Sequence, residues 1–285
     1  MVRDLANSDA PFAGRLEPVA FHAGPPQEEA LARLEWLVTE RQRCGIVTGA
    51  AGLGKSHLAT AAARRLGGLG CDVAVLSLGG LPDGEWVDLA LERFALDASS
   101  RAETLRPWQK LENRLRENSL MERPTVLICD DLDRGPADAA QGLGRIAAAA
   151  ESRFEWSLVV ATVTPAALDR VPDALRQRAA VRIELAPWTE AETADYLTWE
   201  LARHGRQADL FTPEAAATLA RFAGGVPRDV LRLGRLTLAA AAGDGVGRID
   251  AAIVEQVWRE LVPVESGGRD PAGARPARAV KRLWG

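Results

Sequence analysis

Lysine is scarce, with three residues in 285 (Lys55, Lys110 and Lys281) against 32 arginines. A bias of that size is compositional, and it makes a lysine beside a glycine-rich turn hard to assign to chance. Cysteine occurs three times, at Cys44, Cys71 and Cys129, an odd number without metal-ligand spacing and each in or beside an apolar run. Neither a disulfide framework nor a zinc site is expected, and the three are read as reduced, buried small hydrophobes. No apolar run approaches the roughly 18 residues of a spanning helix. Met1 to Asp9 carries charge but no apolar core, so no secretory signal is expected and the cytoplasm is the expected compartment. Excess positive charge is lacking as well: 35 basic against 39 acidic residues leave a net charge of −4. That excludes a global field able to hold nucleic acid by electrostatics alone, so any DNA contact needs a local patch.

What is present is an ordinary globular balance, 47% hydrophobic and 26% charged, in a chain long enough for two units of about 150 residues. Residues 1–27, with Pro11, Pro18, Pro25 and Pro26, read as an N-terminal arm laid across the body. From Glu28 to about Arg43, Ala30, Leu31, Leu34, Leu37 and Val38 form a stripe at helical period. Strands follow at 44–48, 72–77, 124–129, 157–162 and 180–185, with helices at 55–66, near 84–96 and at 103–119. Short apolar strands separated by helices predict an α/β domain over 28–187 whose parallel sheet is buried on both faces. After Pro187 the strands stop. Four helical segments, with start signals at Thr189/Glu192, Thr212-Pro213 and Asp250, predict an all-helical domain over 188–264. Residues 265–285 read as a disordered basic tail, with five basic side chains against Asp270 from residue 269 onward. Trp36, Trp199 and Trp258 fall on helix stripes and are assigned to the core, whereas Trp86, Trp108 and Trp188 are candidates for a partner surface. His22, His57 and His204 form no metal constellation.

The segment Gly49-Ala50-Ala51-Gly52-Leu53-Gly54-Lys55-Ser56 matches GxxxxGK[ST] between a strand and a helix; composition alone would produce about 0.002 such matches in a chain of this length. Glycines let successive N–H groups turn toward phosphate oxygens, and the helix N-terminus that follows, with His57 in its first turn, adds partial positive charge. Lys55 is placed to reach the β- and γ-phosphates of ATP, and Ser56 to give its hydroxyl to Mg2+. A carboxylate at the end of a neighbouring strand completes such a site, and Val126-Leu-Ile-Cys-Asp130-Asp131 supplies it, with Asp130 at the magnesium position. Asp131 falls where such ATPases usually carry a glutamate that polarises the attacking water. One methylene fewer sets its carboxylate back by roughly 1–1.5 Å, enough to slow turnover, and Asp133 is a second acid that can share the work.

These elements, with Pro11-Phe12, Leu175-Arg-Gln-Arg178 and Gly224-Gly-Val-Pro-Arg228, make the chain resemble AAA+ ATPases over about residues 11–262. Within them it looks like the ExeA-like general-secretion-pathway ATPases and the related transposition helper ATPases. The resemblance implies a P-loop fold with strand order 5-1-4-3-2 followed by a helical lid. It further implies Thr162, or Thr164, as the polar residue that orients the attacking water, and Arg178 as an arginine finger acting in trans within a homo-oligomer. Arg228 becomes a lid residue that senses the γ-phosphate. An ATP hydrolase driving conformational change or assembly of a partner complex, in secretion or DNA transactions, is the function this implies. The shortened Asp131 keeps a second function open, a nucleotide-gated scaffold with negligible hydrolysis.

Overall fold

The computed structural model describes residues 11–14, 21–94, 105–149, 157–244 and 247–261. The expected tail at 265–285 lies outside the described residues. The chain divides into two compact units, Leu16–Ala186 and a second made of Met1–Arg15 with Pro187–Gly285.

In the first unit the order is α1 (Pro25–Thr39), β1 (Cys44–Thr48), α2 (Lys55–Gly68), β2 (Asp72–Ser77), α3 (Trp86–Arg93), α4 (Pro107–Leu120), β3 (Thr125–Asp130), α5 (Ala137–Ala149), β4 (Ser157–Val163), α6 (Asp173–Arg176) and β5 (Ala179–Glu184). Short 3-10 turns, Leu132–Arg134 and Pro165–Arg170, follow β3 and β4. All strand pairs are parallel and the order is β2-β3-β4-β1-β5, the expected order read from the other edge. Every residue of β1, β3 and β4 is buried, because helices cover both faces of the sheet. Alternate strand residues divide between two cores. Ile46, Leu76, Leu127 and Val159 pack with Leu111, Leu143 and Ile146 of α4 and α5. Val47, Ile128, Val160 and Ile183 pack with Leu34, Leu37 and Leu58 of α1 and α2.

Four sequence expectations change here. Helix α1 begins at Pro25, with prolines in the first-turn positions whose N–H groups have no helical partner in any case. Helix α5 was not expected at all; it carries Gly142 and Gly144, which weaken intrinsic helix propensity. Its position is set by packing, since a Cβ on Gly142 would stand 2.2 Å from the Trp86 ring. Trp86 is accordingly a core residue and not a partner-surface one, with Trp108 edge-on to it at 5.8 Å. Trp36, by contrast, was assigned to the core and is 45% exposed on α1. The three cysteines are free and buried, and burial pushes the Cys44 thiol up to about 12 and raises those of Cys71 and Cys129.

The second unit holds α7 (Glu190–Arg203), α8 (Pro213–Ala223), α9 (Pro227–Asp244) and α10 (Ala251–Leu261). Thr189 and Glu192 form a capping box, Thr212 caps α8 by accepting from the Ala215 N–H at 3.2 Å, and Asp250 accepts from Ile253 N–H at 3.1 Å. Phe12 belongs to this unit. Its ring packs against Tyr196 and Phe211, and its N–H donates to the buried Glu200 carboxylate at 2.9 Å.

Between α8 and α9 the chain turns through Gly224 and Gly225, both with positive φ (59° and 67°). The Gly225 carbonyl accepts from Trp188 N–H at 2.7 Å, and a Cβ on Gly225 would stand 2.1 Å from the Trp188 carbonyl oxygen, whereas one on Gly224 meets open space. Gly225→Ala should therefore cost about 2 kcal/mol or more, combining a left-handed alanine with displacement of the Trp188 backbone. Gly224→Asn should cost no more than about 1 kcal/mol, because asparagine tolerates the left-handed region. Urea unfolding of the two variants checks the difference; equal costs would show that Trp188 does not constrain the turn.

Candidate nucleotide-binding site

The buried strand β1 ends at Thr48, and Gly49–Gly54 turns the chain into α2. Gly52 and Gly54 have φ of 89° and 90°, values that L side chains rarely adopt. Gly54 precedes α2 and no side chain caps that helix, so the first-turn N–H groups, with those of the turn, form a donor surface at the positive end of the helix dipole. Lys55 is buried with its ammonium donating to the carbonyls of Gly49 at 2.8 Å and Ala50 at 3.1 Å. It folds over its own loop, on carbonyls whose bonds phosphate oxygens can replace at small cost. Ser56 and His57 stand in the same first turn.

The acids come from β3. Asp130 pairs with Ser77 of β2, and Thr162 on β4 pairs with Val47 of β1, so both lie at the sheet edge from which the loop springs. The Thr162 hydroxyl donates to Asp130 Oδ1 at 2.5 Å and accepts from Asp131 N–H at 2.9 Å. Asp130 is thereby fixed through one oxygen, with its second oxygen remaining as a hard ligand. With the Ser56 hydroxyl, that donor set suits Mg2+, which takes few protein ligands and completes its shell with phosphate and water.

Asp131 adopts φ 53°, ψ 44°. Its Oδ2 lies against Gly79, which follows β2, and 3.9 Å from Arg134 Nη1. Thr164 makes no such bridge between the two acids: its N–H and hydroxyl donate to Asp133 Oδ2 at 3.1 and 2.6 Å.

Arg178 is at the other edge of the sheet. It precedes Ala179, which pairs with Cys44 at the start of β1, so the length of β1, about 16 Å at ~3.3 Å per residue, separates it from its own loop. Its Nη1 donates to the Ala174 carbonyl at 3.2 Å, while Arg176 is engaged by Asp169 and Asp173. Arg228 is exposed at the start of α9 in the helical unit. Within the α/β unit the structure thus gathers residues 49–57, Asp130, Asp131 and Thr162 at one sheet edge and puts Arg178 at the other, while Arg228 belongs to the helical unit. Gly79 and Arg134 were missed by the sequence reading, since nothing local marks a glycine as the neighbour of an acid 52 positions away.

Residues 38–168 match the family model of an AAA domain. The matched stretch runs from the end of α1 to the 3-10 turn after β4 and contains both the loop and the acids. The chain is similar in fold to the Aeropyrum pernix ORC2 protein in its ADPNP–ADP complexes, with TM-score 0.62 and 14% identity over 81% of this chain and 66% of that one. It is also similar to the Thermotoga maritima RuvB Holliday junction branch migration motor, with TM-score 0.55 and 19% identity over 84% of this chain and 70% of that one. This chain spans about two thirds of the length of those proteins, and what it shares with them is the AAA+ P-loop fold. No curated protein matches the sequence significantly. Among the described residues no helix is long and apolar enough to cross a membrane.

Thr162→Val removes a donor from Asp130 and an acceptor from Asp131 while preserving shape. It should cost about 1–3 kcal/mol in urea unfolding, whereas Thr162→Ser should stay within about 0.5 kcal/mol. Equal stability of the valine variant would show that the bridge is dispensable.

Proposed function

We propose that the chain is an ATP-dependent AAA+ ATPase that binds ATP with Mg2+, hydrolyses it, and uses a second copy of itself to complete the site. The observation that carries this is the joint placement, at one sheet edge, of an uncapped glycine-turn helix bearing Lys55 and of Asp130 locked by Thr162. In this reading Gly49–His57 hold the phosphates, Lys55 the β- and γ-phosphates, and Ser56 and Asp130 the magnesium ion. The ion would neutralise phosphate charge as it develops in transfer. Asp131 polarises the attacking water, and Thr162 sets the orientation of both acids. Arg178 serves the neighbouring subunit, because its own loop lies a strand length away. Arg228, by its place after Gly224-Gly-Val-Pro, responds to the γ-phosphate. The output is closure or assembly that moves a protein client in secretion or DNA transactions, in the cytoplasm. The Pro11-Phe12 and Gly224–Arg228 segments support the ExeA-like assignment.

A second reading, a nucleotide-gated scaffold, is favoured by one observation. The Asp131 carboxylate is short and rests against Gly79 on the β2 side of β3, away from β1.

Phosphate release by the wild type and by Asp131→Glu separates the two. A hydrolase turns over as it stands and changes less than about tenfold on gaining the methylene, whereas a silent wild type with a gain of about 10²-fold in Asp131→Glu selects the scaffold. Mixing Lys55→Ala with Arg178→Ala subunits, each inactive alone, should restore turnover in mixed assemblies; no recovery would reject the trans role of Arg178.

A further inference from the structure

We propose that Asp133 and Thr164 are positioning residues: their pairing holds the left-handed turn that carries Asp131, and so sets where the water-polarising carboxylate stands. The inference rests on the ATPase reading above and deepens it.

An aspartate at φ 53° keeps that conformation only where its surroundings over-determine it. Three ties do so. Asp131 N–H is held by Thr162, and its carbonyl accepts from Arg134 N–H at 2.9 Å. On the β2 side, Leu78 N–H donates to the Asp130 carbonyl at 3.0 Å and Gly80 N–H to that of Arg134 at 3.3 Å. On the β4 side the tie beyond Thr162 is Asp133, whose Oδ2 takes both the N–H and the hydroxyl of Thr164. Backbone pairing of β3 with β4 reaches Cys129 and Ala161, so the Asp133–Thr164 contact continues the join of the two strand ends by side chain.

The same contacts argue against either residue acting on water itself. The Thr164 hydroxyl donates its hydrogen bond to Asp133. The Oδ1 of Asp133 is buried with no partner among the described residues and its Oδ2 is engaged by Thr164, an arrangement that fits positioning better than direct action on a water molecule. A half-satisfied carboxylate is a poor source of stability, and its retention here fits a geometric role.

The test uses the full chain with four substitutions, Asp133→Ala, Asp133→Asn, Thr164→Val and Thr164→Ser. Readouts are phosphate release, the Kd of a fluorescent ATP analogue, and amide hydrogen exchange of the 130–135 segment. Asp133→Ala should lower kcat about 10²-fold and Thr164→Val about tenfold, with KM and Kd within about twofold of wild type and faster exchange over 131–135. Thr164→Ser keeps the hydroxyl and should restore both turnover and protection. Asp133→Asn keeps an acceptor oxygen without the charge and should retain turnover within about fivefold. Loss in Asp133→Asn as deep as in Asp133→Ala, with exchange unchanged, would make the carboxylate a direct participant and overturn the proposal. So would wild-type kcat and exchange in Thr164→Val. Absence of phosphate release from the wild type refutes the ATPase reading alone, and exchange then decides whether the pairing holds the turn.

Discussion

One hydroxyl organises the acidic half of the site. Thr162 has a single proton to give and gives it to Asp130; its oxygen receives the N–H of Asp131. This works only because β4 lies between β1 and β3, so the penultimate residue of β4 stands between the glycine turn and the acids. The bond is buried, where the low dielectric strengthens it and makes loss of either partner costly. Sheet order, the carboxylate conformation and the left-handed turn after β3 thus depend on one another, and none of them can change alone.

The parts of the fold that the sequence made legible are those where local pattern and tertiary environment agree. Strands β1 and β2 and the start of α2 fall where apolar runs and the glycine turn place them, because a sheet covered on both faces demands continuous apolar residues. The start signals at Thr189, Thr212 and Asp250 became actual caps, since capping is a bond within one turn. Where the agreement fails, the reason is a long-range contact. Helix α5 contains two glycines, and it is the Trp86 ring against Gly142 that makes one of them useful there. Asp131 and Asp133 were recognised as acids of the site, but their division of work depends on which strand end each one touches. Nothing in Asp-Asp-Leu-Asp states that the first rests on Thr162, the second faces Gly79 and the fourth holds Thr164.

The same limit explains Phe12. An arm rich in proline reads as irregular from composition, and nothing in the sequence marks Glu200 as its partner. In the structure they are partners. Glu200 is 3% exposed and receives the Phe12 N–H along with Arg203, while His204 Nδ1 stands 2.8 Å from its carbonyl oxygen. The ring of Phe12 fills the space between Tyr196 and Phe211, and Gly234 on α9 admits it at 3.5 Å. The helical unit is consequently built from two stretches of chain, one from each side of the α/β unit in sequence, and its core is incomplete without residues that precede α1.

The geometry of β5 bears on why one chain is insufficient for the proposed chemistry. Parallel strands put all their C-terminal ends, and so the glycine turn and both acids, at one edge of the sheet. A residue that leads into β5 must then lie at the opposite edge, and Arg178 is such a residue. A guanidinium there is too far from its own P-loop to meet charge developing on a phosphate, however its rotamers are chosen. In the proposed reading it serves a site presented to it by another molecule. The neighbouring Arg176 makes exposed ion pairs with Asp169 and Asp173, whereas Arg178 rests on the Ala174 carbonyl, which offers no net charge. In the proposed reading Arg178 is the arginine offered to a second subunit, because its place before β5 sets it a strand length from its own loop and only a neutral carbonyl holds it there.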